Sequence, residues 1–471
     1  MPRSHSNPES SKGFVLFAVL WAVAGVFHLL SFHDWRWWSI YGIFLAIAAL
    51  AVLARPTWPV FAFFVLVDFA CVGRNISLIP NHILFAWVVN LTLLTTLAGT
   101  LIRRPGEKEI AGEWFRAFAP WLRLELGILY FITGFHKLNT AYFNPEVSCA
   151  VSMLHEVAAT FPFVPTASWA ESGVIHGTIV GEALIPLLVA MRSTRLAGLL
   201  LGITFHGLLT THFYVGIYSF TATVYALFSL FLPGLCVARL APPTWLRILP
   251  RIVAVAGITG LMLWMFRHRL FAGGVLESYF PKPLFGLGIV AALAYALGSF
   301  GVISWLGYRH PGDFRNPAPG TLRRLWPMAV FPAVLALIGL QPYLGFRTLM
   351  CFSMFSNLQT ENGRSNHFLM PNWLQITDWQ RDLVEVIESN EPGLSALAEE
   401  QLSIPFLELR RRRTVVASSL TVVFSRKGQV FKFVSDDVAT HRAIPPLGRL
   451  AMHYVRFRAV ESDPDKVHCR W

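Results

Sequence analysis

The sequence predicts an all-α polytopic membrane protein of about eleven transmembrane helices, carrying a small α+β domain at its C-terminal end, outside the bilayer. Three observations predict it. Hydrophobic residues make up 54% of the 471 and charged residues only 14%, with a mean hydropathy of +0.52, a balance for which lipid is a better solvent than water. The apolar residues gather in runs close to the roughly 20 that cross about 30 Å of hydrocarbon. From residue 347 onward the runs cease, and polar turns and short alternating stretches take over.

Residues 1–13 are polar, hold Arg3 and Lys12, and read as a cytoplasmic tail. The apolar run that begins at Phe14 ends in Ser31, Phe32, His33 and Asp34 without a small-x-small cleavage pattern, so it is expected to anchor the chain rather than to be removed. A transmembrane domain over 14–346 follows, with spans expected at 14–33, 38–54, 57–73, 82–102, 118–139, 173–191, 196–213, 214–235, 250–267, 284–307 and 326–346. Only Arg55 and Pro56 separate the second span from the third, and the seventh abuts the eighth, so both junctions require tight hairpins. With the N-terminus inside, the inner loops receive Arg55, Arg103, Arg104, Lys108, Arg192, Arg195 and several later arginines, more than the outer loops hold. An odd number of spans then places 347–471 on the extracytoplasmic side.

That last region shows a short helical pattern near Trp379 to Ser389 and alternation from Thr414 to Phe424. Ser425, Arg426, Lys427 and Gly428 then turn the chain into Gln429 to Val434, a β-hairpin signature. The Arg410 to Arg413 run precedes this strand pattern. The net charge of +12 lies between hydrophobic stretches, as orientation signals do, so nucleic acid is not an expected partner. Five cysteines, Cys71, Cys149, Cys236, Cys351 and Cys469, show no CxxC spacing. Pairing among Cys149, Cys351 and Cys469 stays open.

Ionisable side chains inside spans carry the chemical information, since each costs about 3 kcal/mol or more at mid-bilayer. Lys137 falls near the outer end of the fifth span, seven residues after Tyr130 and on the same helical face, with Gly134 beside it. One reading is a snorkelling helix-end anchor; the other is a functional amine. Asn81 and His82 open the fourth span, His206 and His212 lie late in the seventh, Ser219 early in the eighth, and Glu182 within the sixth, so polar groups gather toward the outer face. Glu182 is either a protonated structural carboxyl or the counter-charge of this group. His206 and His212 are six apart and point different ways, which disfavours one metal ion between them. No GxSxG elbow, Walker loop, HExxH or dinucleotide fingerprint is present.

The segment Tyr130 to Asn139, YFITGFHKLN, resembles the Gly-x-x-Lys-Leu signature of the vitamin K-dependent γ-carboxylase-like family, also called the horizontally transferred transmembrane domain family. Three further stretches agree in order: Asn81 and His82 at a helix start; Phe205 and His206 followed by Ser219 and Phe220; and Phe352 to Ser356 after the last span. The resemblance implies that Lys137 is the base that takes a proton from a reduced, vitamin K hydroquinone-like quinone and that His82 assists it. It implies carboxylase-like chemistry on an extracytoplasmic peptide or protein substrate. Asn81, Tyr130, Gly134, His136, Glu182, His206 and Ser219 would line the cofactor site. No resident metal is expected. A lysine base near neutral pH needs a dry surround.

Two classes of function stay open: an outer-leaflet enzyme that uses a lipid-soluble cofactor, and a non-catalytic membrane scaffold serving immunity, lipid binding or transport. The C-terminal domain is expected to present a substrate or partner, with Asn357, Asn366 and His367 roofing the membrane cleft.

Overall fold

The computed structural model describes residues 8–31, 40–74, 79–103, 106–212, 216–240, 281–318, 320, 326–415 and 419–469. Most of these residues are helical, because a long apolar run satisfies its own backbone donors and acceptors only as a helix. In order the helices are α1 Pro8–Ser31, α2 Ile40–Ala54, α3 Trp58–Arg74, α4 Asn81–Ile102, α5 Ile110–His136, α6 Thr140–Phe143, α7 Cys149–Thr160, α8 Ser168–Ala190, α9 Arg195–Leu209, α10 Gly216–Phe228, α11 Gly234–Arg239, α12 Pro281–Arg309 and α13 Val330–Leu340. Four segments are long and apolar enough to cross a membrane: Glu9–Leu29, Asn81–Ile102, Ser168–Ala190 and Val290–Arg309. Shorter apolar helices cover the expected second, third, seventh, eighth and eleventh spans. The expected ninth span, 250–267, lies outside the described residues.

The chain forms two compact units. The first comprises Met1–Asn75, His82–Ile128 and Gly181–Ala333. Within it α1 packs against α2, α10 and α11. Phe14 and Phe17 are fully buried against Phe61, Trp114 and Phe118, with ring centroids 5.0–6.0 Å apart, an aromatic core joining α1, α3 and α5. The turn expected at Arg55 is tight: the Arg55 amide donates to the Ala51 carbonyl and Phe61 to Thr57. Gly198 brings α9 against the end of α8, where a Cβ would stand 2.6 Å from the Val189 nitrogen and 2.8 Å from the Leu188 carbonyl carbon. Leu184 and Leu187 on α8, and Leu297 and Phe300 on α12, are apolar and exposed.

The second unit comprises Ile76–Asn81, Leu129–Val180 and Val334–Trp471, so the residues after 347 pack together with a segment some two hundred positions earlier. Helices α6 and α7, which the apolar pattern does not announce, belong to it. A disulfide joins Cys149 at the start of α7 to Cys469, 320 residues away in sequence, while Cys71, Cys236 and Cys351 are free and buried.

The unit also holds β1 Leu383–Ser389, α14 Pro392–Glu399, β2 Ser403–Pro405, α15 Phe406–Val415, β3 Thr421–Arg426, β4 Gln429–Val434 and α16 Arg449–Tyr454. The strands form one antiparallel sheet in the order β2-β1-β3-β4. Val384, Val386, Val422, Phe424 and Phe433 face a core completed by Leu394, Leu397 and Leu409. The expected hairpin is present, closed by Lys427 and Gly428 at φ 53° and 76°, the paired positive values of a type I′ turn.

Several expectations are corrected. The stretch near Trp379 to Ser389 is the strand β1 rather than a helix, because Val384 and Val386 alternate with exposed Glu385 and Ile387 across a half-buried sheet. Arg410 to Arg413 and Thr414 belong to helix α15, and the strand starts only at Thr421. There the buried Glu408 pairs with Arg411 at 2.6 Å and Arg412 at 3.5 Å, spacings that only a helix brings together. Helix α5 begins at Ile110, eight residues before the expected 118, and ends at His136, so Lys137 follows the helix instead of lying on its face. The last span has its α-helix only over Val330–Leu340, led in by a 3₁₀ turn at Trp326–Ala329.

Gly198→Leu should force α8 and α9 apart at a backbone contact that cannot relax. The expected cost is about 3 kcal/mol or more, read as a lowered melting temperature in detergent and loss of the monodisperse size-exclusion peak, whereas Gly298→Ala, with open space around it, should stay close to the parent.

Candidate functional site

In the second unit the end of α5 is built from the YFITGFHKLN segment. Tyr130 is buried on the helix and Gly134 half-buried one turn later. The helix then tightens, with the Lys137 amide donating to the Gly134 carbonyl at 3.1 Å. Lys137 is 5% exposed, and its Nζ donates to the Thr133 carbonyl at 3.3 Å. His136 is fully buried and bonds the Gly339 carbonyl on α13 at 2.9 Å. Asn139 caps α6 by accepting from the Tyr142 amide at 2.8 Å, while its Nδ2 donates to the carbonyls of His136 and of Ser356.

The segment after α13 explains that last bond. Met350, Phe352, Phe355 and Asn357 all take left-handed backbone conformations, with φ from 52° to 64°, and three of the four are buried. Side chains brace the segment at Phe352 and Asn357. Asn81 accepts from the Phe352 amide at 2.8 Å. Asn357 accepts from the Cys149 amide and donates to the Val147 and Val467 carbonyls. Asn366 accepts from the Gln359 amide and donates to the carbonyls of Asn357 and Pro464. Asn357 and Asn366, expected to roof a cleft, therefore staple backbone to backbone. His367 does the same: Nε2 donates to the Phe135 carbonyl at 2.8 Å and Nδ1 accepts from the amides of Leu369 and Met370. Burial pushes the His367 imidazole below its ordinary range, outweighing the upward pull of the Phe135 carbonyl.

His82, His206, Ser219 and Glu182 belong to the first unit. Ser219 and Thr223, one turn apart on α10, each donate to a backbone carbonyl. Their oxygens are left to accept from His82 Nε2 at 2.8 Å and His28 Nε2 at 3.2 Å. The His28 and His82 rings are 6.1 Å apart, and Phe220 lies 6.1 Å from His82 and 5.3 Å from His206. Three buried imidazoles thus surround one face of α10. Glu182 is half-buried on α8, beside Gly181, which sits against Phe205. His212 is buried past the end of α9, its carbonyl accepting from the Tyr218 hydroxyl.

The structure brings together residues from the stretches that carry the resemblance: Asn81 with Phe352 and Asn139 with Ser356 in one unit, His82 with Ser219 and His206 with Phe220 in the other. Lys137 and His82 fall in different units. Sequence reading passed over His28, whose signal was an imidazole inside an apolar run. It also passed over Asp68 and Glu125, both fully buried. Asp68 accepts from Asn90 at 2.6 Å, Asn90 in turn from Trp21, and Glu125 from Thr92 at 2.6 Å. Among the described residues no group of three or more His, Cys, Asp or Glu side chains is placed to hold a metal ion. Compared with family models, curated proteins and solved structures, the chain matches none.

His367 gives a pH test. Its folded form binds a proton less readily than an unfolded histidine, whose pKa is about 6.5, so its contribution is fully present above that pH and is lost as pH falls below it. Melting temperature should decline from pH 7 to pH 5, and His367→Gln, which cannot titrate, should flatten part of that slope while lowering stability at pH 7.

Proposed function

We propose that this chain is a multi-pass membrane protein of the vitamin K-dependent γ-carboxylase-like kind, with a cytoplasmic N-terminus and an extracytoplasmic C-terminal region, that works with a reduced, lipid-soluble quinone. Membrane residence is supported by the large apolar side chains that α8 and α12 leave exposed, which lipid would cover. The Cys149–Cys469 disulfide supports the orientation, since such bonds persist in oxidising compartments. Six spans are expected between these two cysteines, and an even number returns the chain to the same face.

The observation that carries the chemical reading is the burial of Lys137. A snorkelling anchor holds its amine in water, whereas Lys137 is 5% exposed just past the end of α5. Lys137 would accept a proton at Nζ from a hydroxyl of the quinol, and the quinol, when bound, would supply the carboxylase-like chemistry toward a peptide or protein substrate. Asn81, Tyr130, Gly134 and His136 would shape the surroundings of Lys137, and the resemblance alone assigns the assisting role to His82, which Ser219 holds in the other unit. One contact favours a second reading: the Lys137 amine bonded to the Thr133 carbonyl closes the helix end, which suits a non-catalytic scaffold for immunity, lipid binding or transport.

Lys137→Arg separates the two. Arginine keeps the charge and the carbonyl bond but stays protonated, so under the scaffold reading it behaves as the parent. Under the catalytic reading both Lys137→Arg and Lys137→Ala fold and abolish quinol oxidation in proteoliposomes, and a small exogenous amine restores part of it to Lys137→Ala. Full turnover in Lys137→Arg would rule out the base.

Orientation has its own test. In spheroplasts, on a background with Cys71, Cys236 and Cys351 replaced, an impermeant maleimide should label Ser425→Cys and spare Ser193→Cys; the opposite pattern would invert the topology.

A further inference from the structure

The loop 368–376 exposes four large apolar side chains: Trp373 at 78%, Ile376 at 71%, Leu369 at 65% and Phe368 at 55%. Such exposure is common where a loop is loose; here polar contacts hold the loop in place. At its start the Phe368 amide donates to the Leu138 carbonyl, just past α5, and His367 bonds the Phe135 carbonyl. At its end the Ile376 amide donates to the Leu344 carbonyl and Thr377 Oγ1 to Gly345, just past α13. Between these pins Gln375 Nε2 donates to the Thr360 carbonyl, and Arg381 reaches the Asn372 carbonyl and the Gln375 side chain. A rigid frame that turns Phe, Leu, Trp and Ile outward presents them to a partner that covers them.

We propose that this loop is an interfacial anchor, seated in the headgroup and upper acyl region of the outer leaflet; the proposal rests on the membrane reading above. The loop hangs from the ends of the two helices whose own outward residues, Phe131 on α5 and Leu337 and Leu340 on α13, are apolar and exposed, so its apolar face continues theirs. The Phe143 ring lies 5.6 Å from Phe368 and 5.6 Å from His176 on α8, which places the loop at the level where the sixth span is expected to begin. Its composition is that of the bilayer interface: one tryptophan and aliphatic side chains flanked by the exposed Arg364 and Arg381, which suit lipid phosphates.

The experiment uses the full chain in phosphatidylcholine–phosphatidylglycerol vesicles, with the buried free cysteines replaced and the disulfide kept. An environment-sensitive fluorophore is attached in turn at Trp373→Cys, Ile376→Cys, Leu187→Cys on α8 and Lys427→Cys at the hairpin tip. Spin-labelled lipid should quench the probes at 373 and 376 strongly and blue-shift their emission, Leu187→Cys should be quenched as well, and Lys427→Cys should respond only to aqueous iodide. If 373 and 376 respond to iodide alone while 187 is quenched by lipid, the loop faces water or a protein and the proposal fails with the membrane reading intact. If 187 also escapes lipid quenching, the membrane reading fails and takes the anchor with it.

Discussion

A buried stretch of irregular backbone is affordable only if something other than secondary structure satisfies its amides and carbonyls. In the second unit that role falls to asparagine. Asn139, Asn357 and Asn366 each make three side-chain hydrogen bonds to backbone groups, and Asn81 adds one. They brace a segment in which four non-glycine residues take left-handed conformations, each costing about 1–3 kcal/mol. The asparagine amide suits this because it offers a donor and an acceptor on a short, stiff stem. Aspartate would lose the donor, and leucine would orphan every partner. The contact of α5 with the C-terminal residues, the start of α4 and the seat of α7 all depend on these amides.

The helices were legible because an apolar run of span length admits few other structures. Their ends were less so, since α5 stops where Asn139, which caps the next helix, is bonded to Ser356 more than two hundred residues away. Short elements failed for a different reason. Leu383–Ser389 fits a helix or a strand by composition, and only pairing with β2 and β3 decides it. The arginine run reads as the lead-in to a strand because the buried Glu408 that organises it is a single acidic residue two positions upstream. For the site, His82, Ser219 and His206 could be named from sequence, but His28 and Asp68 could not be given roles: their partners, Thr223 and Asn90, lie on other helices.

The polar groups in the apolar helices sort into two kinds. Trp21, Asn90 and Asp68, like Thr92 and Glu125, form short hydrogen-bonded chains that tie α1, α3, α4 and α5 side chain to side chain. His28 and His82 sit beside hydroxyls that also bond backbone carbonyls, while His206 lies against the Phe220 ring.

The Cys149–Cys469 bond has a consequence for how the protein is made. The unit it closes is assembled from residues 76–81, 129–180 and 334–471, so a chain emerging from the ribosome delivers α6 and α7 long before the residues that cover them. Cys149 can pair correctly only once Cys469, 320 residues later, has been synthesised. Native closure therefore waits for all of the intervening chain, and interrupted synthesis would leave Cys149 available to thiol-exchange enzymes or to wrong partners.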